Sequence, residues 1–244
     1  MDNKDLINQY INTGMGIPKE QYDMLSGNNK KTYLRIMEIR VKQDANYIKY
    51  YYGELTEDIQ IAAVTQTGML IQYILEKGIT PSEAVQLAAV TQDVDVIDYI
   101  IAKGIIPSER VQLEAVSKSG AISFILANGI TPSEAVQLAA VTQKGYAIAH
   151  ILNKGITPSE AVQIAAVTKD AYAIQYILKK GIIPSEHVQI AAVKQSGDAI
   201  QYIIKKGITP SEAVQIVAVT KTGHAIQYIN NPSERVKMIS NQNK

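Results

Sequence analysis

The sequence predicts an all-α fold: a right-handed-type α-solenoid of about eight two-helix repeats closed by half-repeat caps. Three observations predict it. A unit of 26 residues recurs down the chain, clearest as Ile156 to Gly181, ITPSEAVQIAAVTKDAYAIQYILKKG. Each unit holds two short apolar runs at helical spacing, parted by polar and small residues. The chain also begins and ends on atypical half-units, as caps that shield terminal apolar faces do.

In chain order, Asp5 to Gly14, DLINQYINTG, reads as a lone second half, and a degenerate repeat covers about residues 30–52, where VKQDANYIKYYYG matches a second half. Full units follow at 53–78, 79–104, 105–129, 130–155, 156–181, 182–207 and 208–230, and only the third lacks a residue, at its turn. Asn231 to Ile239 carries a first half, NPSERVKMI, with nothing after it. The expected organisation is an N-terminal cap with degenerate repeats over 1–52, tandem repeats over 53–230, and a C-terminal half-repeat cap and tail over 231–244.

Within the unit at 156–181, Thr157-Pro158-Ser159-Glu160 predicts a helix start: a capping threonine, proline at the first helical position and glutamate at the third. Units opening Ile105-Ile106-Pro107 and Ile182-Ile183-Pro184 lack that threonine, so there the cap must shift or be lost, at a cost of about 1 kcal/mol each. Ala161, Ile164, Ala165 and Val167 supply the apolar face of the first helix, and Thr168 to Ala171 form the turn. Ala173, Ile174, Ile177 and Leu178 form one face of the second helix, with Gln175 and Lys179 pointing away. Gly181 stands where a left-handed C-cap belongs.

The 244 residues include no cysteine, which excludes disulfides and thiolate metal sites and fits a reducing compartment. The N-terminus has no apolar signal core, and no stretch reaches the length of a membrane span, so a soluble, intracellular protein is expected. Net charge is +1 but uneven: Glu54, Glu57, Asp58, Glu76, Glu83, Asp93, Asp95 and Asp98 crowd two early units, and lysines dominate from Lys144 onward.

The framework P-S-E-x-V-Q-[LI] scarcely changes between units, whereas the residues flanking a recurrent Gly, Ala or Val in the turn change in almost every copy. The pairs are Thr67 and Met69, Asp93 and Asp95, Lys144 and Tyr146, Asp170 and Tyr172, Ser196 and Asp198, Thr222 and His224, with Ser119 alone where the residue is missing. Two readings stand: exposed turns that drift freely, or one edge of the solenoid that reads a partner, one element per repeat.

The run of Thr157, Pro158, Val162, Ile164, Ala165, Ala173 and Ile174 resembles the repeat of transcription activator-like effectors. In that family two helices flank a turn whose residues contact the bases of duplex DNA, so the resemblance implies that the turn pairs face bases. The unit here is shorter at the end of its second helix and keeps a single Gly or Ala in the turn, and Lys30, Lys31, Arg35, Arg40 and Lys42 are a thin version of that family's basic N-terminal region. Ala191 to Tyr202, AAVKQSGDAIQY, is similar to a widespread repeat of pattern A-A-V-K-Q-x-G-x-A-L-x-Y whose function is unknown, and the T-P-x-E start resembles leucine-rich variant repeats. All three resemblances cover about residues 53–230 and rest on capping and packing positions.

For nucleic acid, phosphate contacts would fall to Lys169, Lys179, Lys180, Lys194, Lys205, Lys206 and Lys221, while the acidic repeats between Gly53 and Gly104 would repel the backbone. Tyr73, Tyr99, Tyr176, Tyr202 and Tyr228 share one slot of the second helix with Phe124 and His150. Packing between adjacent repeats is the expected role of that slot, and a stacking platform for bases the alternative.

There is no G-x-x-x-x-G-K loop, no H-E-x-x-H and no nucleophile elbow. His150, His187 and His224 occupy three different positions of the unit, so no shared metal is expected, and Asp93, Asp95 and Asp98 fit a helix start favoured by its dipole. The expectation is therefore a non-enzymatic scaffold without cofactor or metal that engages a protein partner through the variable turn edge, with modular binding of duplex DNA as the alternative.

Overall fold

From the repeat at 79–104 onward, each leading helix follows a serine, whereas the repeat at 53–78 has Thr56 in that place without a side-chain cap bond. In the computed structural model, which describes residues 16–119 and 121–243, Ser159 is extended and its Oγ accepts the Val162 N–H at 3.3 Å. Glu160 is then the first helical residue, and Thr157 and Pro158 lie before the helix. The cap expected at Thr157 is thus two residues further on. The units that open Ile-Ile-Pro lose nothing, because Ser108 and Ser185 cap them as Ser159 does.

The chain divides into two compact units, Met1–Glu114 and Ala115–Lys244, with the division inside the helix Glu109–Ser119. The first contains helices Lys19–Asp23 and Gly27–Gln43, a 3-10 segment Ala45–Tyr50, leading helices Glu57–Gln66 and Glu83–Gln92, and trailing helices Ile71–Glu76 and Val96–Ala102. The stretch of about residues 30–52 holds most of the helix Gly27–Gln43 and the 3-10 segment Ala45–Tyr50 that follows it. The lone half-unit expected at Asp5 to Gly14 lies outside the described residues. The second unit contains leading helices Glu134–Gln143, Glu160–Lys169, Glu186–Gln195 and Glu212–Lys221. Its trailing helices are Ile122–Ala127, Ala147–Asn153, Ala173–Lys179 and Ile200–Lys205, and the 3-10 segment Gly223–Tyr228 and helix Glu234–Gln242 close it. Among the described residues there is no strand, and no helix is long and apolar enough to cross a membrane.

Each unit is built by stacking leading helix on leading helix and trailing helix on trailing helix, which a single 26-residue repeat could not do alone. In the repeat at 156–181 the trailing face is as expected: Ala173, Ile174, Ile177 and Leu178 are buried and Lys179 is exposed. The leading face is not. Ala161 is exposed and Ile164 and Ala165 are half-buried, while Val162, Gln163, Ala166 and Val167 form the buried side. Gln163 enters the core because its Nε2 donates to the Pro158 carbonyl at 3.0 Å, closing the loop before the helix. The same bond recurs at Gln86, Gln112, Gln137, Gln189 and Gln215.

The trailing helix ends in a Schellman motif, as the glycine predicts. Gly181 has φ +78°, its N–H donates to Leu178, and the Ile182 N–H donates to Ile177. At the N-terminal end, Ile17, Tyr22, Leu25, Tyr33 and Met37 form a separate core, tied by the Tyr33 hydroxyl to the Tyr50 carbonyl at 2.8 Å. Burial there pushes the Tyr33 hydroxyl well above its ordinary value.

Candidate partner-binding surface

The turn pairs divide into two kinds of position. The first residue of each pair is the extended link between the helices: Thr67, Asp93, Lys144, Asp170, Ser196 and Thr222 all have φ between −148° and −141°. In two repeats the first side chain also closes an Asx turn ahead of the trailing helix, Asp93 accepting the Asp95 N–H at 3.1 Å and Asp170 the Tyr172 N–H at 2.9 Å. Asp93, Asp170, Ser196 and Thr222 are half-buried, so these positions carry structural duties as well as variety. The side chain of Ser119 lies outside the described residues.

The second residues face outward more freely. Tyr146 is 47% and Tyr172 53% exposed, Asp95 and His224 are exposed, and Met69 and Asp198 are half-buried. Neighbouring repeats bring some of them together: His224 Nε2 lies 3.3 Å from Asp198 Oδ1, and the Tyr172 ring meets Tyr202 edge-on at 5.9 Å. Tyr146 meets His150 of its own trailing helix at 6.1 Å.

The recurrent small residue between each pair has a steric cause. A Cβ on Gly145 would stand 2.7 Å from the Ala166 carbonyl oxygen and 2.6 Å from Asp170 Cβ, both in the next repeat, and Gly197 meets Ala218 and Thr222 in the same way. The turn of one repeat therefore rests on the end of the next leading helix.

The seven lysines expected to touch phosphates do not form one track. Lys169, Lys194 and Lys221 sit on the last turns of leading helices, beside the turns, whereas Lys179, Lys180, Lys205 and Lys206 lie at the far ends of trailing helices. The aromatic slot is less buried than inter-repeat packing predicts: Tyr176 is 40% and Phe124 43% exposed, with Tyr73, Tyr202 and Tyr228 half-buried. Two clefts adjoin at Tyr176. One, of about 350 Å³, runs towards Tyr202, Lys205 and Lys206, and the other, of about 370 Å³, towards Ala149, Leu152 and Asn153.

The histidines have separate partners, with His187 Nδ1 3.3 Å from Glu160 Oε1 and His224 beside Asp198. Among the described residues no three His, Asp or Glu side chains are grouped as a metal ion would require. In the first unit a hollow of about 590 Å³ mixes Lys19, Lys77, Glu54 and Glu57 with Tyr51 and Tyr52 and gathers no paired acid and base.

One feature of the surface escaped sequence reasoning. The capping serines Ser82, Ser108, Ser159, Ser185, Ser211 and Ser233 donate their hydroxyls to Glu57, Glu83, Glu134, Glu160, Glu186 and Glu212 of the preceding repeats. The unvarying Ser-Glu pair was the available signal. At Glu160 the Ser185 hydroxyl, and after it His187, hold the carboxyl below its ordinary value. No family model matches the chain and no curated protein matches it; its helix pairs, returning every 26 residues, make it a helical repeat protein.

Proposed function

We propose that the chain is a non-enzymatic binding scaffold whose partner is a protein, engaged along the turn edge. One observation carries this reading: within the unit Ala115–Lys244 the outward turn residues Tyr146, Tyr172 and His224 are exposed and vary along the array, with Asp198 at the remaining step, while the side chains beneath them repeat almost unchanged. A periodic support with outward groups that change along it suits recognition of an extended partner surface. Tyrosine supplies contact area at low entropic cost, which favours Tyr146 and Tyr172 as anchors.

The test is affinity capture with the full chain and with an Asp95→Ala, Tyr146→Ala, His224→Ala variant of unchanged circular dichroism. A protein captured by the first and lost by the second is the expected result. A partner that both retain overturns the turn edge as the contact.

A second reading, modular recognition of duplex DNA, is favoured by the exposed lysine pairs Lys179, Lys180 and Lys205, Lys206 and by the resemblance to activator-like effector repeats. The Asx-turn bonds of Asp93 and Asp170 weigh against turns devoted to base reading. Fluorescence anisotropy against randomised duplex DNA at several salt concentrations decides it: tight binding with a steep salt slope, lost on charge reversal of those four lysines, supports the DNA reading.

A further inference from the structure

The trailing helices of the unit Ala115–Lys244 carry a charge pattern that the turn edge does not explain. From the repeat at 130–155 onward, these helices and the residues that end them bear Lys154, Lys179, Lys180, Lys205 and Lys206 and no carboxylate. The carboxylates of the adjoining turns are half-buried, Asp170 accepting the Tyr172 N–H and Asp198 Oδ1 lying 3.3 Å from His224 Nε2. The glutamates of the leading helices, Glu134, Glu160, Glu186 and Glu212, receive serine hydroxyls. All five lysines are exposed, and Lys205 Nζ donates to Gln201 Oε1 at 3.4 Å. Cations gathered along trailing helices that bear no carboxylate are complementary to an acidic ligand.

The two clefts at Tyr176 set the rest of the ligand's chemistry. Their walls are Tyr176 and Tyr202, their apolar lining is Ala149, Leu152 and Leu178, and lysine ammonium groups stand at their rims. Tyr176 and Lys179 belong to both, so the clefts form a continuous pair across three trailing helices. Open clefts that combine tyrosine rings and a few aliphatic side chains with lysines at the rim suit apolar side chains flanked by carboxylates. A nucleic-acid strand would instead need open ring faces on which bases stack. At Tyr202 that face is obstructed, because Lys205 Nζ lies over the ring at 6.0 Å and Tyr172 meets it edge-on.

We infer that this face docks an extended acidic peptide segment of a partner protein, apolar side chains seated beside Tyr176 and Tyr202 and flanking carboxylates bonded to Lys179, Lys180, Lys205 and Lys206. The inference rests on the protein-partner reading and adds the partner's chemistry to it.

The experiment is anisotropy of labelled synthetic peptides with the full chain at low and high salt. The probes are a peptide of alternating Glu and Leu, the same peptide with Lys for Glu, one with Ser for Leu, and an oligothymidylate of matched length. The Glu-Leu peptide should bind at least about tenfold more tightly than the other three, and weaken with salt. The Lys179→Glu, Lys205→Glu variant and the Tyr176→Ser variant should each lose about tenfold at an unchanged urea midpoint, while Lys179→Arg keeps binding. Oligothymidylate binding more tightly than the peptide, or variants that bind the peptide as the parent does, overturns the inference, as does no peptide binding at all. The Asp95→Ala, Tyr146→Ala, His224→Ala variant separates the two readings: it should keep the peptide and lose the captured partner. Loss of peptide binding alone removes this surface and leaves the turn edge standing; capture insensitive to the turn edge removes the turn edge and leaves the peptide result to be read independently.

Discussion

Gln189 puts a polar side chain into the core: it is 8% exposed, its Nε2 donates to the Pro184 carbonyl at 2.9 Å, and its Oε1 has no partner in the protein. Removing the amide in Gln189→Ala leaves that carbonyl without its donor, at about 1–3 kcal/mol, which a urea unfolding curve would read. Gln189→Glu should be worse and pH-dependent. A carboxylate facing a carbonyl oxygen in a buried site has its folded-state pKa raised, so the folded protein holds the proton more tightly and stability falls as pH rises through the acid range. A midpoint for Gln189→Glu that does not fall on raising the pH from acid to neutral would remove this account. Glu160 runs the other way. Its folded-state value is lowered, first by the Ser185 hydroxyl and then by His187, so its contribution is present above the pH where a free glutamate ionises and is lost as pH falls through the folded-state value. In Ser185→Ala the Glu160 carboxyl should titrate closer to its ordinary value; an unchanged NMR titration would show that the serine is not the cause.

At the level of the helix, two glycines of one array obey different constraints. Gly181 holds φ +78° with nothing within 4 Å of where a Cβ would stand, so Gly181→Ala costs backbone strain alone, about 1 kcal/mol. Gly197 has an ordinary φ, but its Cβ would stand 2.4 Å from the Ala218 carbonyl oxygen, so Gly197→Ala must push the next leading helix away, at about 1–3 kcal/mol. Ala171 fills the equivalent place in its own repeat, where it is buried, so the array can widen there. Urea midpoints of the two variants give the order, and a larger loss at Gly181 would reverse the assignment. The C-cap glycine was legible in the sequence because its conformation is a local matter, and so were the faces of the trailing helices. The leading helices were misread at Thr157 because threonine and serine cap by the same chemistry, and only the backbone geometry at Ser159 decides between them. Gln163 was invisible as a core residue for a similar reason, since a periodic apolar pattern cannot register a polar side chain whose partner is a carbonyl five residues back. The candidate surface was half legible: the variable turns could be read off the repeats, but the split of the lysines between two edges depends on which helix end each occupies in space.

Over the whole array, stability comes from contacts between neighbours, which makes an internal repeat more expendable than a single core side chain. The repeats at 130–155, 156–181 and 182–207 each begin with isoleucine after a glycine of φ +78°, so excising 156–181 joins Gly155 to Ile182 with the Schellman motif and the register kept. The Ser-Glu ladder closes across the cut as well, since Ser185 would meet Glu134 where Ser159 does now. The shortened protein should therefore fold, losing one repeat and one interface, with an m-value reduced in proportion to the surface removed. Ile174→Asp keeps every repeat but places a carboxylate at a fully buried site among apolar side chains, where neither water nor a counter-ion reaches it. That substitution should cost more than 4 kcal/mol and open hydrogen exchange first in the repeats that flank it. The comparison is made by urea unfolding of the parent, the deletion and Ile174→Asp side by side. A deletion that unfolds more readily than the point variant would mean that the array is one indivisible core, and the nearest-neighbour description would fail with it.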